Sequence, residues 1–182
     1  MIDGVPVVVS DEAAVVVTDD AAYVEACLGR RPQSRWAVAA RDDIGRPTVI
    51  RNEPFLDDGT PMPTRYWLID PALSRRIGTL ESDGGVRRAE AEVDPRELAA
   101  AHSAYATERD AAIPVTRRGP RPSGGVGGTA RGVKCLHTHY AYFLAGGDDP
   151  VGRWVHEQLA GPSDGVAREV SGGATAGEGR PS

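Results

Sequence analysis

Three short runs rich in valine, isoleucine and aromatic residues, WAVAA at 36–40, PTVIR at 47–51 and TRYWLID at 64–70, are crowded together, and the patterned segments after them read as helix. Strands followed by helices, without βαβ alternation, specify an α+β fold in which neighbouring strands pair antiparallel. Asp43 to Gly45 supplies the first turn. The Asp58-Gly59 pair supplies the second, after which Pro61 and Pro63 hold the chain extended. In TRYWLID, alternation sends Tyr66, Leu68 and Asp70 to one face and Arg65, Trp67 and Ile69 to the other. Both faces carry large apolar groups, which calls for helices covering the sheet.

Helix starts and stops punctuate the rest. Thr18 or Asp19 caps a short helix with Ala22, Val24, Cys27 and Leu28 on one face, ended by Gly29 and Pro32, so Cys27 reads as a small buried hydrophobe. Asp70-Pro71 opens a helix reaching Gly84, with Leu73, Ile77 and Leu80 on its apolar side. A second short helix is expected over Gly85 to Val93. Asp94-Pro95 opens the clearest helix, with Glu97 in capping-box position and Leu98, His102, Tyr105 and Arg109 on one stripe leading to Ile113-Pro114. Further helices are expected over Val133 to Ala145 and from Asp149-Pro150 to Leu159. The segment PVTRRGPRPSGGVGGTARG at 114–132 reads as a mobile loop that buries no core. The expected organisation is a poorly ordered leader over 1–17, one α+β domain over 18–160 with a sheet of about three strands and four to five helices, and a disordered tail over 161–182.

Composition narrows the function classes. A net charge of −5 over 182 residues gives no global attraction to nucleic acid or to an anionic membrane surface. The runs VPVVV at 5–9 and AAVVV at 13–17 are too short to span a bilayer. Two cysteines do not make a disulfide framework, and a cytoplasmic location is expected.

Chemistry-bearing side chains gather in RGVKCLHTHYAYFLAGGDDPVGRWVH at 131–156. This stretch, with DGTPMPTRYWL at 58–68, resembles the signature segments of a bacterial family classed as domain of unknown function 501. The similarity extends from about residue 26 to 160. The resemblance implies a stand-alone cytosolic protein, whose relatives' genes often neighbour those for a septum-formation protein and an exopolyphosphatase; it brings no reaction, cofactor or catalytic residue. Many members carry an Arg-Cys-Pro segment where this chain has Ala40 to Gly45, so a metal site relying on that cysteine is ruled out here.

On a continuous helix Cys135 and His139 share a face, while His137 is turned about 200° from Cys135, so the three are not expected to form one tripod. A zinc site then needs two more ligands from His102, His156, Asp148 or Asp149, and no CxxC or HExxH pattern supplies them. No metal or other cofactor is assigned. Cys135 at the helix start beside Lys134 fits a nucleophile if His137 or His139 acts as its base, against the plainer and favoured reading of a small buried cysteine. Arg121, Arg131 and Lys134 at the glycine-rich entrance to the helix form a candidate anion cradle, against the plainer reading of a solvated linker. The leading functional expectation is a cytosolic binding or regulatory protein that recognises an anionic ligand or protein partner at this loop and helix. The alternative is a small hydrolase or transferase dependent on Cys135 with His137 or His139, with phosphate-containing substrates among those it would take.

Overall fold

A computed structural model describes residues 20–161. The expected leader, the Thr18 or Asp19 cap and, beyond Gly161, the expected tail lie outside the described residues. The three sequence runs form β1 (Trp36–Arg41), β2 (Pro47–Asn52) and β3 (Tyr66–Leu68), paired antiparallel in the order β1-β2-β3. Each turn is made by an aspartate. Asp42 Oδ1 accepts the N–H groups of Ile44 and Arg46 between β1 and β2, where Gly45 adopts φ 85°. Asp58 Oδ1 accepts Thr60 N–H on the longer path to β3, where Gly59 also has φ 85°. Register Ile50↔Trp67 and Val49↔Leu68 sets which side chains share a face.

Helices cover both faces. Helix α1 (Asp20–Leu28) lays Val24 over Ile50 and Ile69, with Trp36, Trp67 and Cys27 at the margin of the cluster. The opposite face, carrying Val49 and Tyr66, packs against Tyr105 of α4 (Pro95–Ala111), Ala141 and Tyr142 of α5 (Leu136–Leu144), and Val126. Its ring contacts include Tyr66 to Tyr142 at 5.3 Å and Tyr105 to Tyr142 at 5.1 Å between centroids. A third cluster lies mainly among helices, where α2 (Pro71–Ser82), α3 (Gly85–Glu92), α4, α5 and α6 (Pro150–Ala160) pool Ile77, Ala89, Leu98, Leu136, Tyr140, Val151, Trp154 and Val155. Three helices start at Asp-Pro: Asp70, Asp94 and Asp149 each accept first-turn backbone N–H groups, and the proline needs no acceptor there.

Two local expectations are corrected. Helix α5 begins at Leu136 rather than Val133, because Gly132 at φ 65° turns the incoming chain and Cys135 caps the helix in extended backbone, φ −161° and ψ 131°. The stretch at 114–132 does bury core, for Val126 is fully enclosed. Buried polar groups hold it in place of a hydrophobic face. Arg109 donates to Gly124 O, and Arg117 donates to Gly59 O at 2.6 Å while its guanidinium lies 4.2 Å from the Phe55 ring centre.

Candidate functional site

His102, in the middle of α4, bridges to two points of the glycine-rich segment, Val126 and Gly132. Val126 N–H donates to His102 Nδ1 at 3.0 Å, so that nitrogen carries the lone pair; Nε2–H therefore donates to Gly132 O at 3.1 Å. The neutral ring is fully satisfied. Its pKa is lowered chiefly by burial and also by neighbouring His139, with the Gly132 carbonyl and Asp149 acting the other way. The approach is so close that a Cβ on Gly125 would fall 2.5 Å from the ring's Nδ1, so the loop can sit here only with glycine at 125.

The loop held in this way closes over α4 and leaves two adjoining depressions that share Ala99, His102 and Ala130. The first, about 390 Å³, has apolar walls from Pro95, Leu98 and Ala99, with Glu90 and Arg131 at its rim. The second, about 490 Å³ and more open, runs past Arg109, Asp110 and Arg121. Arg109 is buried and committed to Asp110 at 2.9 Å. Among the described residues, Arg121 and Arg131 make no side-chain hydrogen bond or ion pair and are exposed. The expected cradle is thus divided, since Arg131 and Arg121 border the two depressions and Lys134 lines neither.

The histidines of 131–156 separate in the opposite sense to a continuous helix through Cys135. His139 turns into the core, where its Nδ1 lies 2.8 Å from Asp149 Oδ2 and its ring 5.6 Å from that of His102. Asp149 Oδ1 accepts Val151 N–H and Gly152 N–H at 2.9 Å each, so one buried carboxylate caps α6 and fixes the α5 imidazole. His139 Nε2 is buried without a hydrogen-bond partner. His156, on the exposed side, approaches Tyr140 Oη at 3.3 Å.

Cys135 lies instead with His137 and with Glu81, at the end of α2; Sγ, an imidazole nitrogen and a carboxylate oxygen are all within 4.8 Å of one another. The expectation that Cys135 shares a face with His139 and lies away from His137 is corrected, because Cys135 precedes the helix and does not follow its 3.6-residue repeat. His137 Nδ1 is 3.3 Å from Glu81 Oε1, and Nε2 is 3.0 Å from Ser74 O. Hydrogen bonding to Cys135, the Ser74 carbonyl and the Glu81 charge together push the His137 pKa up to about 9 against the opposing effect of burial. Leu136 N–H donates to Glu81 Oε1 at 2.6 Å, so the chain's own carboxylate already occupies the N-terminus of α5, where an outside anion was expected.

Glu81 is the site residue that sequence reasoning missed. It sits among mixed charges at the end of a helix, and nothing in its neighbourhood marks it as the partner of residues 55 positions further on. Asp149 was legible as a cap, but its second role on His139 was not.

Among the described residues, no helix is long and apolar enough to cross a membrane. No curated protein and no solved structure matches the chain. A family model described as a protein of unknown function, DUF501, matches residues 38–157, which take in all of the sheet but the first two residues of β1, His102, the glycine-rich loop, Cys135, both α5 histidines and Asp149, and the chain belongs to that family.

Proposed function

We propose that this protein binds an anionic small molecule in the groove that the glycine-rich loop forms over α4, with the acidic group of the ligand held by Arg131 or Arg121. The observation that carries this reading is the pairing of a groove fixed by His102 with two unpartnered arginines at its edges. A site built in advance loses little conformational freedom when a ligand enters, and guanidinium groups suit carboxylate and phosphate by geometry as well as charge. The walls from Pro95, Leu98 and Ala99 favour a ligand with an apolar body beside its acid group. A cytoplasmic setting belongs to the same proposal and is supported by the two free cysteines, Cys27 and Cys135.

A thermal-shift screen of phosphorylated metabolites, nucleotides and aromatic carboxylates tests the reading. A genuine ligand at about 100 times its Kd adds about 2.7 kcal/mol to stability. Arg131→Ala or Arg121→Ala should remove that shift, and Lys134→Ala should keep it. Wild-type protein that no anion stabilises, or a shift that depends on Lys134 alone, would overturn the proposal.

A second reading, a thiol-dependent hydrolase or transferase, draws on Cys135 and His137 lying together. His137 could then serve Cys135 only through Nδ1, because Nε2 is engaged with Ser74 O.

A further inference from the structure

We propose that Glu81, Cys135 and His137 bind a divalent transition metal of the zinc class, through one carboxylate oxygen, the cysteine sulfur and Nδ1 of the imidazole. This site is separate from the groove over α4 and does not depend on it. Its three donors come from two elements, the end of α2 and the start of α5, and they converge within 4.8 Å. A mixed sulfur, nitrogen and oxygen set selects zinc and its neighbours over calcium or magnesium, which take oxygen almost alone.

The spacing is close to that of a filled site. Nitrogen and oxygen ligands about 2.0–2.2 Å from a tetrahedral zinc lie roughly 3.3–3.5 Å from each other. His137 Nδ1 and Glu81 Oε1 are already 3.3 Å apart. Sulfur at about 2.3 Å from the metal sits roughly 3.6 Å from the other two donors. Cys135 Sγ, inside the 4.8 Å envelope, therefore has to close by no more than roughly 1.2 Å, within reach of a side-chain adjustment.

The outer partners are those a metal site needs. Nε2–H of His137 donates to Ser74 O at 3.0 Å, so the nitrogen that faces Glu81 and Cys135, and that gives up its proton when a metal binds, is Nδ1. A backbone carbonyl in this position fixes the tautomer and orientation of metal-bound imidazoles generally. Leu136 N–H holds Glu81 Oε1 at 2.6 Å in the same way. Cys135 stands at a cap position that serine, threonine or aspartate usually fills, yet its side chain caps no backbone N–H. Helix capping thus does not explain the thiol. An ordinary ion pair between Glu81 and His137 would not call for it either.

The side chains of Glu81 and His137 are 26% and 29% exposed, so water or a small molecule can complete the coordination. Three protein ligands with one open position is the arrangement of a reactive rather than a closed structural zinc. Binding moves the thiol proton and any Nδ1 proton to solvent, leaves Nε2–H on Ser74 O, and involves no change of oxidation state.

The test loads full-length, chelator-stripped protein with cobalt(II) or zinc(II). Wild type should take up an equimolar amount of cobalt, with a thiolate-to-metal charge-transfer band and the strong visible absorption of a tetrahedral site. Cys135→Ser should abolish the charge-transfer band and Cys27→Ser should retain it. Glu81→Gln and His137→Gln should each weaken zinc affinity by more than about 10-fold, beyond what loss of an outer partner typically costs at its least. Absence of the band in wild type, or its survival in Cys135→Ser, overturns the proposal. A readout on the unmutated chain guards against misfolded variants: zinc should protect Cys135 from iodoacetamide, scored by peptide mass spectrometry, while Cys27 alkylates as before. Equal alkylation of Cys135 with and without zinc would also overturn it.

Discussion

The Nδ1 atom of His139 lies 2.8 Å from Asp149 Oδ2, and neither side chain has any solvent exposure. This contact ties the middle of α5 to the start of α6 and passes the buried carboxylate's remaining capacity to the first-turn N–H groups of α6.

Asp149→Ala should therefore cost more than an ordinary helix cap. It leaves His139 Nδ1 and the Val151 and Gly152 N–H groups buried without their acceptor, and each buried group left unpaired costs about 1–3 kcal/mol. Asp149→Asn should cost less because it keeps a carbonyl oxygen for the cap. Urea denaturation of the two variants beside wild type decides this. A loss under about 1 kcal/mol for the alanine variant would mean that the pair contributes no more than a surface cap.

His102→Ala removes the acceptor of Val126 N–H and the donor to Gly132 O, two of the ties of the glycine-rich segment to α4. A buried N–H left unpaired costs about 1–3 kcal/mol. The sharper expectation is local: trypsin should cut faster at Arg117, Arg118 and Arg131 than in wild type, measured by mass spectrometry under native conditions. Unchanged cleavage rates would contradict the assigned role of His102.

The same histidine should make stability fall in mild acid. Its folded pKa lies below the ordinary 6.5, so below that value the unfolded chain binds the proton more readily than the folded one. Stability conferred by the neutral ring is intact above the unfolded pKa, declines as pH falls toward the folded pKa, and levels off beneath it. Denaturation profiles between about pH 8 and pH 4 for wild type and His102→Gln should differ in slope in that window, with the variant flatter. Parallel profiles would exclude His102 as the source.

Helices α5 and α6 meet at Gly152. A Cβ there would stand 2.3 Å from Phe143 Cβ and 2.7 Å from His139 O, neither of which is the free end of a flexible side chain. Gly152→Ala must part the helices and lengthen the His139–Asp149 contact. The loss should reach at least the 1–3 kcal/mol or so typical of overpacking, read as a lowered Tm. Gly146→Ala meets no atom within 4 Å, though its φ of 91° adds backbone strain; it should not disturb the contact between the helices.

Tyr105→Phe probes the join between sheet and α4. Tyr105 Oη accepts Arg65 N–H at 2.6 Å and donates to Pro63 O at 3.1 Å. Phenylalanine keeps the ring packing on Tyr66 and Tyr142 but strands a buried N–H, at a cost of about 1–3 kcal/mol in equilibrium unfolding. A neutral result would mean that water replaces the hydroxyl.

The residues that act locally wrote their own structure into the sequence. Aspartates before prolines opened α2, α4 and α6, Asp-containing turns separated the strands, and the two-sided apolar pattern of β3 foretold helices on both faces of the sheet. These depend on interactions within a few residues or on period alone. Three things did not. Helical periodicity puts Cys135 on one face with His139, yet it lies beside His137, because one non-helical residue at the start of α5 breaks the 3.6-residue rule. The glycine-rich segment is fixed by His102 and Arg109 of α4 and by its own Arg117 reaching Gly59 O, polar ties to groups outside the segment, so composition alone made it look unstructured. Glu81 and Asp149 reached their imidazoles only when helices packed, and the energy that directs them comes from burial and from charge partners brought close by the fold. The sequence by itself determined the elements and the two faces of the sheet; the tertiary structure decided which titratable groups meet, because those meetings depend on packing between elements and no local rule encodes them.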